Sequence, residues 1–206
     1  MTELPQAADL IAEPSQAAAV ADVRAALGTR SVVLVGMMGA GKSSIGRRLA
    51  QVLDIPFVDA DTEIEKAAGM TIPEIFDSHG EAYFRAGEAR VIARLLDSGP
   101  HVLATGGGAY MNEQTRALVL SRGWSVWLKA ELEVLLKRVR RRADRPLLKS
   151  GDPAATLEKL IVERYPVYAL ADVTVMSRDV PHETIVAEII TAVADKIAVV
   201  KKETKQ

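Results

Sequence analysis

From Ser31 onward the chain alternates between short runs of consecutive apolar residues and longer stretches where apolar residues recur every three or four positions. Ser31-Val32-Val33-Leu34-Val35-Gly36 is the first run, β-branched and closed by glycine. Such a run suits a strand buried on both faces of a parallel sheet. Helical spacing follows at Ile45, Leu49 and Val52/Leu53. Pro56-Phe57-Val58 predicts a short second strand and 61–68 a helix. Thr71-Ile72-Pro73-Glu74 has the spacing of a capping box with proline in the first turn, and a longer helix is expected over 81–96. A third strand is predicted at 101–105, a helix after Asn112 and a fourth strand at 124–128. The next helix carries Leu132, Leu135, Leu136 and Val139 on one face. A fifth strand over 172–176 and a last helix over 181–197 complete the pattern. Strands alternating with helices predict an α/β fold, a doubly wound parallel sheet with helices on both faces.

Residues 1–29 stand apart. They are rich in Ala, Gln and Glu, with Pro5 and Pro14, and Ser15 is placed to cap a short helix ending at Gly28. We read them as an N-terminal extension, partly disordered, before a domain at 30–198 and a charged C-terminal tail at 199–206.

Composition narrows the chemistry. At 206 residues, 49% hydrophobic and 26% charged, the chain suits one α/β domain. The net charge of −1 gives no global field toward nucleic acid or a membrane surface. The absence of cysteine excludes disulfides, zinc–thiolate sites and cysteine nucleophiles, and fits a reducing compartment. No apolar run approaches the roughly 18 residues of a membrane helix, and no basic segment precedes an apolar one at the N-terminus. A cytoplasmic monomer that binds neither nucleic acid nor membrane is expected.

The first chemical signal is Gly36-Met37-Met38-Gly39-Ala40-Gly41-Lys42-Ser43, which fits G-x-x-x-x-G-K-[ST] between a strand and a helix. Its glycines let backbone N–H groups converge on phosphate oxygens, and the helix N-terminus adds a fixed partial positive charge. In such a loop Lys42 reaches the β/γ phosphates and Ser43 ligates Mg²⁺. A guanine-reading Asn-Lys-x-Asp is excluded, because Asn112 is the one asparagine in the chain and Glu follows it.

Other candidates lie downstream. Asp59-Ala60-Asp61 stands at the carboxyl end of the second strand, where ligands of open sheets bind. Residues two apart on an extended chain point the same way, so one carboxylate can hold a metal-bound water while the other accepts a hydroxyl proton. The competing use of Asp61 is as a helix N-cap. Gly106-Gly107-Gly108 follows the third strand, and three successive glycines suit a small ligand lying against main chain. Arg85 and Glu88 fall one turn apart on a helix and, like Arg164, read in isolation as surface groups. Residues 137–145 hold six Lys/Arg, a solvated face or a nucleic-acid patch by composition alone. Arg145-Pro146-Leu147-Leu148, followed by Lys149-Ser150-Gly151-Asp152-Pro153, instead looks like a lid at about 143–153 carrying an arginine onto phosphate.

Taken in order, these residues closely resemble the shikimate kinases over about 31–197. The motifs are Gly-Met-Met-Gly-Ala-Gly-Lys-Ser, Phe-Val-Asp-Ala-Asp, Gly-Glu…Phe-Arg…Glu, Gly-Gly-Gly, Arg-Pro-Leu-Leu and Arg-Tyr-Pro-x-Tyr. The resemblance implies a three-layer P-loop kinase fold with a five-stranded parallel sheet of order 2-3-1-4-5 and a lid. It implies phosphorylation of the 3-hydroxyl of shikimate, in aromatic amino-acid biosynthesis. By that likeness Gly39, Ala40, Gly41, Lys42, Ser43 and Ser44 hold the phosphates of ATP. Ser43 holds Mg²⁺ directly and Asp59 through water. Asp61 takes the acceptor hydroxyls and is the base. Arg85, Arg164 and the N–H of Gly107 hold the substrate carboxylate. Arg145 contacts ATP, with Lys42 at the transferring group. Arg138 stacks on adenine, as does the segment around Pro181. The extension before Ser31 has no place in the family pattern.

A gluconate kinase is the nearest rival, against which the triple glycine and Arg-Pro-Leu-Leu argue. A non-catalytic nucleotide-binding module is another, and it is opposed by the presence of Lys42, Asp61 and Arg85.

Overall fold

The computed structural model describes residues 14–140 and 152–203. Its helices are α1 (Pro14–Leu27), α2 (Lys42–Leu53), α3 (Ala60–Ala68), α4 (Ile72–Asp97), α5 (Glu113–Arg122), α6 (Leu132–Val139), α7 (Pro153–Tyr168) and α8 (His182–Glu203). Its strands are β1 (Ser31–Val35), β2 (Phe57–Asp59), β3 (Val102–Ala104), β4 (Gly123–Lys129) and β5 (Val173–Met176). All strand pairings are parallel and the order is β2-β3-β1-β4-β5, with helices on both faces. This is the architecture that the alternating pattern and the resemblance predict.

β1 is central and buried along its whole length, which explains its lack of polar alternation. β3 lies on one side of it and β4 on the other, with Val33 opposite both Leu103 and Ser125. The crevice where such a sheet takes ligands therefore opens beyond the carboxyl ends of β1 and β3.

Several boundaries differ from the sequence reading, each for a local reason. α3 opens at Ala60 because Asp59 is its N-cap, accepting from the N–H of Asp61 at 3.2 Å. Asp172 precedes β5 and serves as a clamp, its carboxylate accepting from the N–H and hydroxyl of Ser125 at 2.8 and 2.7 Å. The Thr71 capping box is formed, and α4 bends at Gly80, whose φ of 78° and ψ of 174° lie outside the helical region. That bend divides α4 where the sequence pattern separates its two helical signals. α8 runs on past Ile197 to Glu203.

The short helix expected at the end of the N-terminal extension is present as α1, and it packs on the domain. Val20, Val23 and Leu27 are buried against the domain, where α1 packs on α8 and α2. The expected lid falls almost wholly outside the described residues, Arg145 included. Its last two residues are described: Asp152 caps α7, accepting from the N–H of Ala154 at 2.9 Å, and Pro153 is the first residue of the helix. No helix among the described residues is long and apolar enough to cross a membrane.

Candidate active site

The phosphate end of the site grows from the turn between β1 and α2. Gly39 and Gly41 take positive φ values of 83° and 92°, a conformation costly for any other residue, and Gly41 forms the N-cap of α2. The first N–H groups of α2 therefore face the cavity with the positive end of the helix dipole. Lys42 folds back over the loop, its Nζ donating to the carbonyls of Gly36 at 2.8 Å and Met37 at 3.0 Å. Ser43 donates its hydroxyl to the Asp59 carboxylate at 2.7 Å.

A second framework holds the same loop from behind. Ser177, just past β5, donates to the carbonyl of Ala40 at 2.8 Å. Arg138 on α6 donates to Ser177 Oγ at 2.8 Å, to the Gly39 carbonyl at 3.3 Å and to the Arg178 carbonyl at 2.8 Å. Arg138, expected at the adenine, lines the cavity beside the phosphate loop that it braces. Asp179, Val180 and His182 line the cavity with it.

The acceptor end is built around the three glycines. Asp59 lies in register with Ala104, so β2 delivers Asp59 and Asp61 beside the loop that follows β3. Asp59 uses one carboxylate oxygen to cap α3 and the other to accept from Ser43. The N-cap alternative for Asp61 thereby passes to Asp59, and Asp61 lines the cavity with Thr105, Gly106 and Gly107.

The glycine loop is surrounded by charge at close range. A Cβ on Gly106 would lie 2.6 Å from Glu88 Oε1 and 3.0 Å from Asp61 Oδ1. One on Gly108 would lie 2.6 Å from an Arg85 guanidinium nitrogen, and one on Gly107 3.5 Å from an Arg164 nitrogen. Arg85 and Arg164, 79 positions apart in sequence (164 minus 85), are therefore brought to one loop. Arg164 is only 7% exposed, and its buried Nε has no hydrogen-bond partner. A guanidinium so placed is suited to an anion that arrives from solution.

Two functional groups carried little signal in the sequence. Glu88 is 3% exposed, not the surface partner its spacing suggests, and it accepts from Arg85 at 2.7 Å. Burial pushes its carboxyl above the usual range, with the Arg85 charge working against that shift. Burial works to lower Arg85, but Glu88 and Glu81 outweigh it and leave Arg85 raised. Its spacing of three or four residues from Phe84, Val91 and Ile92 is the sequence signal that Glu88 faces inward. Tyr168, fully buried one turn after Arg164, donates its hydroxyl to the Gly107 carbonyl. Burial pushes its pKa up to about 12, so it remains a donor across the ordinary pH range.

Comparison with known proteins agrees with this geometry. The shikimate kinase family model matches residues 38–194. A shikimate kinase of Bradyrhizobium diazoefficiens is 66% identical over 177 residues, covering 86% of each chain. Among solved structures, shikimate kinase from Acinetobacter baumannii in complex with shikimate is 36% identical, with a TM-score of 0.80 over 84% of this chain and 97% of that one. A gluconokinase from Sinorhizobium meliloti reaches a TM-score of 0.55 at 19% identity, covering 86% of this chain and 96% of its own, a likeness of fold alone.

Proposed function

The chain belongs to the shikimate kinase family, and from that premise we propose that it transfers the γ-phosphoryl group of ATP to the 3-hydroxyl of shikimate, a step toward aromatic amino acids. One observation carries the choice of acceptor. Two guanidinium groups, Arg85 and Arg164, converge on a three-glycine loop beside a carboxylate, Asp61, and across from a phosphate-binding loop. Paired planar guanidiniums match a carboxylate, a glycine loop offers main-chain N–H groups, and a carboxylate suits hydroxyls. Shikimate, a small polyol carboxylate, presents these complements. Gluconate shares the carboxylate, but the gluconokinase likeness extends to fold alone.

Each residue then has a physical task. The loop from Gly39 to Ser44 cradles the phosphates, and Lys42 gives up its loop carbonyls to neutralise the β/γ oxygens. Arg85, Arg164 and the N–H of Gly107 hold the substrate carboxylate, which orients the ring so that one hydroxyl meets Asp61. Asp61 accepts that proton as the oxygen attacks phosphorus. Phosphoryl transfer asks mainly for positioning and charge neutralisation, and these groups supply both. Arg145, outside the described residues, is assigned to the ATP phosphates on the resemblance, and Arg138 to the adenine end.

Mg²⁺ fits the donor set. Ser43 Oγ and the Asp59 carboxylate are hard oxygen ligands 2.7 Å apart at the phosphate loop, the kind Mg²⁺ takes together with phosphates and water. When bound, it offsets the negative charge of the phosphates being drawn together. Ser43 would hold it directly and Asp59 through a water. We take a monomer as the working form, and the lack of cysteine supports a cytoplasmic site of action.

The deciding experiment is ADP release by purified protein with Mg²⁺ and ATP, with shikimate, with gluconate and with no acceptor. Rapid turnover is expected with shikimate alone. Equal turnover with gluconate, or none with shikimate, rejects the reading.

A further inference from the structure

A second cavity lies on the other face of α4. It is a cleft of about 260 Å³, open to solvent on one side, between α3 and α4, and lined by Ile64, Ile75, Phe84 and Val91 with small residues at Ala67, Ala68 and Gly87. Among the α4 residues that line it, Phe84, Gly87, Val91 and Arg94 follow at three- and four-residue spacing and form one stripe, with Tyr83 and Arg90 beside it. Arg85 and Glu88 lie on the neighbouring stripe of α4, do not line this cavity, and face the glycine loop.

Three features set this cavity apart from an ordinary packing gap. Gly87 stands in the interior of a helix, where glycine costs about 0.5–1 kcal/mol relative to alanine. A Cβ there would meet nothing within 4 Å, so neither backbone conformation nor close packing calls for glycine. Its effect is to keep the cavity open. Tyr83, 52% exposed, stands as an aromatic wall at the rim. Arg90 and Arg94, one turn apart at the mouth, have no ion pair or hydrogen bond among the described residues. An apolar pocket with two uncompensated guanidiniums at its mouth is complementary to one class of ligand.

We infer that this cavity binds a small amphiphilic carboxylate, its ring or branched apolar body against Phe84 and Val91 and its charge on Arg90 and Arg94. The volume limits the occupant to about the size of a single ring with a short acidic arm. This site is separate from the reaction site and does not depend on the acceptor assigned there. Because α4 also carries Arg85 and Glu88, an occupant bears on the helix that fixes them.

Phenylacetate is a suitable probe, followed by isothermal titration calorimetry on the full-length protein, with melting temperatures recorded for every variant. One phenylacetate per chain is expected. Arg90→Gln/Arg94→Gln should weaken it about tenfold or more, the effect of losing charged hydrogen-bond partners. Gly87→Leu, which improves helix propensity while filling the cavity, should abolish binding. Arg164→Gln, in the reaction site, should leave it unchanged. Absence of binding by the wild-type protein, unchanged affinity in either cavity variant, or loss of binding in Arg164→Gln overturns the proposal.

Discussion

Glu88 gives Arg85 one carboxylate oxygen and turns the other toward the glycine loop. Oε2 accepts from Arg85 at 2.7 Å, while Oε1 is buried without a hydrogen-bond partner, 2.6 Å from where a Cβ on Gly106 would stand. The arginine assigned to the substrate is thus held by a carboxylate that burial would prefer neutral.

A pH dependence follows. Burial raises the Glu88 pKa, so folding favours its neutral form, and stability is lost as pH rises through the folded value. Function makes the opposite demand, since only the ionised carboxylate holds Arg85. The KM for shikimate is expected to rise as pH falls through a value above the usual carboxylate range. Glu88→Gln should raise KM at neutral pH and flatten that acid limb. An unchanged acid limb in the variant would assign it to another group.

Gly106→Ala and Gly108→Ala separate stability from activity. The atoms that a new methyl would meet are the ends of the Glu88, Asp61 and Arg85 side chains, which can move aside at little cost to the fold. Their displacement is costly for chemistry, where a misplacement of about 1 Å can cost roughly a hundredfold. Gly106→Ala should lower kcat through Asp61 and raise shikimate KM through Glu88, whereas Gly108→Ala should act mainly on KM, through Arg85. Thermal melts close to wild type with those kinetic losses are the expected pair of results.

The two aspartates should part company. Asp59→Asn keeps an oxygen to cap α3 but loses the charge beside Ser43, so the Mg²⁺ requirement should rise while the melting temperature holds. Asp59→Ala loses the cap as well, at about 1 kcal/mol of stability. Asp61→Asn should lower kcat by at least about 10²-fold and leave ADP affinity near wild type, the α3 cap being Asp59. Titrations of Mg²⁺ activation and melting curves on the three variants test this.

Deletion of residues 2–28 tests the first helix. Val20, Val23 and Leu27 are buried, and returning three such side chains to water costs roughly 4–9 kcal/mol. That is comparable to the whole stability of many domains, about 5–15 kcal/mol. The truncated chain should melt at a much lower temperature. Measured well below that temperature, its kcat and KM should stay within about a factor of two, because no assigned site group lies in the deleted segment.

The strands were legible in the sequence because burial on both faces leaves unbroken runs such as Val32–Val35, and the phosphate loop because its glycines answer a backbone requirement that shows in one chain. The helix of α1 was legible from Ser15 and Gly28, but its docking on the domain was not, because the alanine-rich composition obscures the three- and four-residue spacing of Val20, Val23 and Leu27. Glu88 and Tyr168 were missed as site members because their importance lies in long-range contacts, with Gly106 and Gly107, that no local pattern encodes. The cap on α3 went to Asp59 and not Asp61 through a one-residue difference in where β2 ends.

The seat of the phosphate loop reaches far along the chain. Gly39 and Ala40 emerge early in synthesis, but the groups that hold their carbonyls, Arg138 and Ser177, come 99 and 137 residues later. A nascent chain that has displayed its whole glycine loop therefore still lacks the brace behind it. The loop's final seat is completed only when β5 and the residue after it have been made and docked.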